Sequence, residues 1–196
     1  PETRHFFEHE LPALGVLVSF VDPTETRGWR RALTRTTRLV YLESPADPTT
    51  RVVDMSPVRT LAQELGIALV VDATLASPIN FRPVEHGADV VLHWANAFLD
   101  GHSDGVSGVV CASETVVDEV RAKMQSWGAE PHPAAVQQLA RGLKTLSVRV
   151  AKQNSTAMVI AQWAAAVVAT NGALSAVLYP GLATHPDHAV ATECFS

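Results

Sequence analysis

The chain has 196 residues, 47% of them hydrophobic and 18% charged, the profile of a globular chain long enough to bury one substantial core. A formal net charge of −5 excludes a nucleic-acid-binding role built on a basic face. The longest apolar run, "MVIAQWAAAVVA", is broken by Gln162 and falls short of the roughly 20 residues a membrane-spanning helix needs, so it reads as a buried helix. The two cysteines, Cys111 and Cys194, are far apart in the sequence. This suits a reducing, cytoplasmic compartment better than a disulfide scaffold.

In chain order, "VLVSFVD" (16–22) predicts a strand, and "TRGWRRALTR" a helix. On that helix Arg27, Arg31, Arg35 and Arg38 form a solvated face, while Trp29, Ala32, Leu33 and Thr36 turn towards a core. "RLVYLES" (38–44) is the next strand, followed by the proline-rich turn "PADPTT". In "SPVRTLAQELG", Ser56 is the expected N-cap, Pro57 the first helical residue and Gly66 the stop. "IALVVD" (67–72) is a continuous apolar strand that ends on an acid. "ADVVLHW" and "SGVVCAS" read as two more strands, and "ETVVDEVRAKMQSWG" as a helix stopped by Gly128. Residues 133–170 are helical in pattern, and "LSAVLYPG" (174–181) is expected to begin a second domain as a strand. Continuous Val/Ile/Leu strands separated by helices predict an α/β fold, a mostly parallel sheet with helices on both faces. The expected division is a large domain over 1–150, with a linking helix and the start of a C-terminal domain over 151–196.

In such sheets ligands sit beyond the carboxyl ends of the strands. Asp72 closes one strand, and His93 and Trp94 close the next; these ends are expected to converge on one crevice. An acid at a strand end can equally cap the following turn, and position alone leaves the two readings even.

The stretch 41–110, with its "YLESPADPTTRVVD", "IALVVDATLASPINFRPVEHGADVVLHW" and "GHSDGVSGVV", resembles the Cys/Met-metabolism family of pyridoxal-phosphate (PLP) enzymes. That family includes cystathionine γ-synthase, cystathionine lyases and methionine γ-lyase. "FFEHELPALGV" (6–16), "RGLKTLSVRV" (141–150) and "VLYPGLATHP" (177–186) fit the same family in order and spacing. The resemblance implies the fold type I PLP-transferase large domain and an ancestry in sulfur amino-acid chemistry. It also implies a chain of about half the usual length. On that resemblance, the N-terminal segment that reaches a neighbouring subunit's cofactor phosphate and most of the C-terminal domain that supplies an arginine for the substrate carboxylate are expected to be missing from these 196 residues. The chain starts at Pro1 without an initiator methionine.

The departures bear directly on chemistry. The family's motif His-Ser-x-Thr-Lys-Tyr is here His93-Trp94-Ala95-Asn96-Ala97-Phe98. Ala97 takes the place of the lysine that forms the Schiff base, and a methyl group neither condenses with an aldehyde nor moves a proton. Loss of a positioned acid/base alone is worth about 10²–10⁴ in rate. Trp94 replaces a phosphate-binding serine and puts an indole where the phosphate would sit. Asn96 replaces a threonine and keeps an amide that can donate to an anion. Asp47 and Ala73 stand where the family has asparagines. Asp72 is retained at the position of the family's partner for the protonated pyridine nitrogen. Lys123, Lys144 and Lys152 are the remaining lysines; none lies at the Schiff-base position. Trp94, Asn96, Ala97 and Ala73 together point to a diverged site rather than a single trapping substitution.

The eight histidines carry no zinc-type spacing; His185 and His188 in "THPDH" and the His93/His102 pair lack the accompanying Cys or carboxylate ligands, and no metal is expected. His102, Ser103 and Asp104 are adjacent in sequence and cannot point at one another as a catalytic triad does. The expected protein is a non-catalytic homologue with Asp72, Asn96 and Trp94 as remnants of the cofactor pocket. No cofactor is expected in that reading. Its partners are homo- or hetero-oligomeric, an intact family member above all, because the apolar helix around residues 158–169 has to be covered on every side. The competing reading is a PLP-dependent C–S lyase or γ-substitution enzyme whose missing elements come from another chain. A third is a small-molecule binder that reuses the crevice near Asp72, Asp47 and Asn96 for an amino-bearing ligand.

Overall fold

Three short apolar runs, each closed by a turn and followed by a helix, build the centre of the fold. A computed structural model of the protein describes residues 2–23, 25–103, 105–171 and 174–195. The chain forms two compact units, 1–37 and 38–196.

In the first unit, helical turns run through α1 (Glu2–His5), a π-type turn (Phe6–Glu10) and α2 (Leu11–Ala13). The expected strand at 16–22 is absent: the backbone there is irregular, and Leu17 is 95% exposed with Val16 and Phe20 also in solvent. β-Branched residues alone do not make a strand without a neighbour to complete its hydrogen-bond ladder and a face to bury. Helix α3 (Thr26–Ala32) buries Trp29 and half-buries Ala32 and Leu33, as expected. It ends before Thr36, which is exposed rather than core-facing. A threonine cluster explains the early stop. The Thr34 amide donates to Thr37 Oγ1 at 2.9 Å, and the Thr37 amide returns to the Thr34 carbonyl at 3.1 Å, a local alternative that competes with helix continuation.

The second unit holds β1 (Leu39–Glu43), α4 (Met55–Leu65), β2 (Ala68–Asp72), α5 (Ser77–Asn80), β3 (Val90–Trp94), α6 (Ala95–Phe98), β4 (Gly108–Ala112), α7 (Glu114–Trp127), α8 (Pro133–Leu143), α9 (Leu146–Asn171) and α10 (His188–Cys194). The strands form one sheet in the order β1-β2-β3-β4, with helices on both sides. β1, β2 and β3 are parallel, in the register Glu43↔Asp72 and Asp72↔Leu92, and β4 runs antiparallel to β3.

Side chains alternate across a strand, so this register sorts the sheet into two faces. Val40, Leu42, Leu69, Val71, Val91 and His93 share one face, and all are buried. Helix α4 contributes Met55, Val58, Leu61 and Ala62 to the core. Tyr41, Glu43, Asp72, Val90 and Leu92 lie half-buried on the other face, with Trp94 exposed at its end. Each apolar side chain taken fully out of water contributes about 1.5–3 kcal/mol, and the first face carries most of that gain.

Two further expectations change. Asp54, not Ser56, caps α4: its carboxylate accepts from the Ser56 amide at 2.9 Å, which makes Pro57 the third helical residue rather than the first. Gly66 and Gly128 do end their helices, in the left-handed conformation at φ 62° and 64° that glycine tolerates without strain. Residues 174–181 form no strand; their backbone turns back to meet the loop after β1.

Candidate functional site

Asp72 ends β2 at the carboxyl edge of the parallel strands, and three hydrogen bonds from two neighbours, Thr74 and Tyr41, fix its carboxylate. Oδ1 accepts from the Thr74 amide at 2.9 Å and from the Thr74 hydroxyl at 2.5 Å. Oδ2 accepts from the Tyr41 hydroxyl at 3.3 Å, which also lies 3.5 Å from Glu43 Oε1. The register makes this cluster, since Glu43 stands directly opposite Asp72 and Tyr41 lies two residues back on the same face. Thr74 Oγ1 in turn accepts from the Trp94 amide at 2.8 Å, joining the ends of β2 and β3. Asp72 therefore does both things its position allowed: it caps the turn and presents a carboxylate at the strand edge.

The electrostatics follow from two carboxylates on a half-buried face. Burial pushes the Glu43 carboxyl above its usual value, and the Asp72 charge pushes it the same way. Burial, then the charges of Asp72 and Glu43, drive the Tyr41 hydroxyl far above the usual tyrosine range, so it stays protonated. A donor with a fixed proton beside two carboxylates is suited to holding negative charge in place, and the face as a whole is suited to a cationic or N–H-bearing ligand.

His93 does not join this cluster. It lies on the opposite face, 6% exposed, and its Nδ1 is sealed from solvent with no hydrogen-bond partner. Burial lowers its pKa, against the pull of the Asp72 charge. The expected convergence of Asp72, His93 and Trp94 on one crevice is thus corrected: alternation along β3 sends His93 into the core and leaves Trp94 with Asp72.

Trp94 is 53% exposed and precedes the four-residue helix α6. Asn96 is half-buried; its side-chain oxygen is sealed without a hydrogen-bond partner, and its carbonyl accepts from Ser103 Oγ at 3.0 Å. Ala97 is exposed. Ala73, where the resemblance expects an asparagine, is completely buried, and Asp47 is exposed in the turn after β1. Lys123, Lys144 and Lys152 are exposed on α7, at the end of α8 and on α9. Asp104 lies outside the described residues.

A lock that sequence reasoning does not single out holds the α6 loop. Arg149, in the first turn of α9, donates to the carbonyls of Phe98 (2.7 Å), Leu99 (3.2 Å) and Gly142 (3.0 Å). A guanidinium on the last carbonyls of a helix satisfies groups that lack an intrahelical partner. Buried Asp100 accepts from the amides of His102 and Ser103, both at 3.0 Å. Gly142 passes so close to this loop that an added Cβ would stand 2.1 Å from the Asp100 carbonyl oxygen. Ala95, Leu99, Leu146 and Val150 pack together beneath.

Among the described residues no cluster of His, Cys, Asp or Glu is arranged to hold a metal ion, and no helix is long and apolar enough to cross a membrane. His188 serves a hydrogen bond within its own segment, whereas His185 accepts from the Asp187 amide and also reaches Thr50 in the turn after β1.

The sequence pattern described as Cys/Met metabolism PLP-dependent enzyme matches residues 1–196. The chain belongs to that family. It is 36% identical over 191 residues to cystathionine gamma-synthase 1, chloroplastic, of Arabidopsis thaliana, covering 97% of this chain and 33% of the relative. It is 36% identical over 188 residues to human cystathionine gamma-lyase (95% and 45%). To L-methionine gamma-lyase of Pseudomonas putida it is 35% identical over 198 residues (99% and 48%). The chain thus spans between a third and a half of these relatives. The mixed sheet with helices on both sides is consistent with the family's large domain.

The residues present accommodate the family's cofactor only in part. Asp72 offers a carboxylate of the kind a pyridinium needs. At the position the family gives to its lysine there is an exposed methyl, and Trp94 brings an indole in place of a hydroxyl. Ala97 itself offers no amine for a covalent bond to that cofactor.

Proposed function

We propose that this protein is a non-catalytic member of the transsulfuration-type PLP family that acts as a structural or regulatory subunit, docked in the cytoplasm against an intact family member. The observation that carries the reading is Ala97. No amine stands at the end of α6, and the three lysines of the chain are exposed on other elements. The apolar residues left in solvent on α9, Val159, Ile160 and Trp163 (66% exposed) among them, support a surface that a partner covers.

Asp72 supports a second reading. Its carboxylate remains half-exposed and held in place by Thr74 and Tyr41, as a site would need if another chain brought the amine. In that reading the assembly is a PLP-dependent C–S lyase or γ-substitution enzyme, and this chain supplies the pyridinium contact.

Purification of the tagged protein from its native cells, followed by turnover assays on what co-purifies, separates the two. The first reading expects co-purification with an intact relative whose turnover is unchanged by Asp72→Ala in this chain. Loss of turnover on that substitution favours the second, and a monomer with no family partner contradicts both.

A further inference from the structure

The segment after α9 returns to the turn that follows β1 through a set of polar contacts. The Asp187 carboxylate accepts from Arg51 through Nε (2.5 Å) and Nη2 (3.0 Å), and from the Val52 amide at 2.9 Å. The Thr50 hydroxyl donates to the Leu178 carbonyl at 3.2 Å. His185 sits at the centre, 3% exposed. Its Nδ1 accepts from the Asp187 amide at 3.2 Å, so that nitrogen carries no proton. The proton therefore sits on Nε2, which lies 3.5 Å from Thr50 Oγ1.

We propose that His185 is the pH-sensitive pin of a latch between the 178–188 segment and the 50–52 turn, closed by the neutral imidazole and opened by its protonation. A proton added at Nδ1 would set two N–H donors against each other where one now meets a lone pair. The charges that face the ring are Arg51 from the turn and Asp187 and His188 from its own segment. Arg51 and His188 oppose an imidazolium. Asp187 favours one, but its carboxylate is already committed to Arg51 and the Val52 amide.

Burial holds His185 below the usual histidine value, against the pull of Asp187. Burial also works against the Asp187 charge, yet the Arg51 and Val52 hydrogen bonds outweigh it and keep that carboxyl below its usual value. A group whose closed-state pKa is depressed keeps the latch closed above its open-state value of about 6.5 and loosens it as pH drops below that value. The device does not depend on what occupies the Ala97 position.

Amide hydrogen exchange of the full chain between about pH 8 and pH 5 tests it, read as protection factors. Below about pH 6.5 the Val52 and Asp187 amides are expected to lose protection by up to about tenfold per pH unit, the limit for one linked proton. Val71 in the buried β2 should stay protected, and His185→Gln should flatten the response. Constant protection, an equal loss at Val71, or an unchanged pH response in the glutamine variant would overturn the proposal. Should that variant fail to fold, the imidazole nitrogen resonances of the unsubstituted chain decide. An Nε2–H tautomer that titrates below the usual histidine value supports the latch; titration at or above that value refutes it.

Discussion

The ends of β2 and β3 lie side by side, joined by hydrogen bonds from the Trp94 amide to Thr74 and from the Ala73 amide to the Leu92 carbonyl, yet they have fared differently. At the end of β2 the polar groups remain and satisfy each other: Asp72, Thr74, Tyr41 and Glu43 form one connected set. At the end of β3 stand Trp94 and Ala97, where the resemblance expects a serine and a lysine, while the backbone stays pinned by Arg149 and Asp100. The difference teaches which groups serve the fold. Asp72 caps a turn, so removing it would strand donors; a lysine at position 97 would project from an exposed site, and its loss costs the fold almost nothing.

Substitutions can break this comparison, starting with the lock. Gly142→Ala should destabilise the protein by about 3 kcal/mol, because the new methyl meets backbone that cannot withdraw; a shift of the urea midpoint measures it. Arg149→Met should cost about 2 kcal/mol by the same measurement, since it removes the guanidinium that donates to the carbonyls of Phe98 and Leu99. On the β2 side, Thr74→Val removes the hydroxyl that donates to Asp72 and accepts from Trp94, for about 1 kcal/mol. A value near zero for Thr74→Val would mean that the β2 network is a relic rather than a support.

The smallest effect is a pH dependence. The folded-state pKa of Glu43 is raised by burial and by Asp72, so its protonated form suits the fold. Its contribution is fully present below the ordinary glutamate value and is lost as pH rises through the raised one. Glu43→Gln should therefore stabilise at neutral pH, by less than about 1 kcal/mol given its partial exposure. The gain should vanish in acid. Thermal denaturation at two pH values checks both signs.

Much of the architecture was legible because it rests on local rules. The apolar runs at 38–44, 67–72 and 88–94 became parallel strands, and Gly66 and Gly128 ended their helices. The antiparallel direction of β4 was not legible, since an apolar run carries no direction. The strands expected at 16–22 and 174–181 failed for lack of a pairing neighbour, which periodicity does not report. At the site, Asp72, Trp94, Asn96 and Ala97 stood out by resemblance, but their surroundings did not. Tyr41 reaches Asp72 only through the β1–β2 register, and Arg149 reaches the α6 loop across 50 residues of sequence. Both contacts are made by tertiary packing, and a signal for either would need the register or the fold first.

The central claim is that this chain carries no amine able to hold PLP covalently at its strand-edge site. The most direct test incubates the full chain with PLP, reduces it with borohydride and maps the labelled peptides by mass spectrometry. The account predicts no stoichiometric label, with at most trace modification spread over the exposed Lys123, Lys144 and Lys152. One lysine of this chain labelled to completion, with an absorbance band that reduction abolishes, would contradict it.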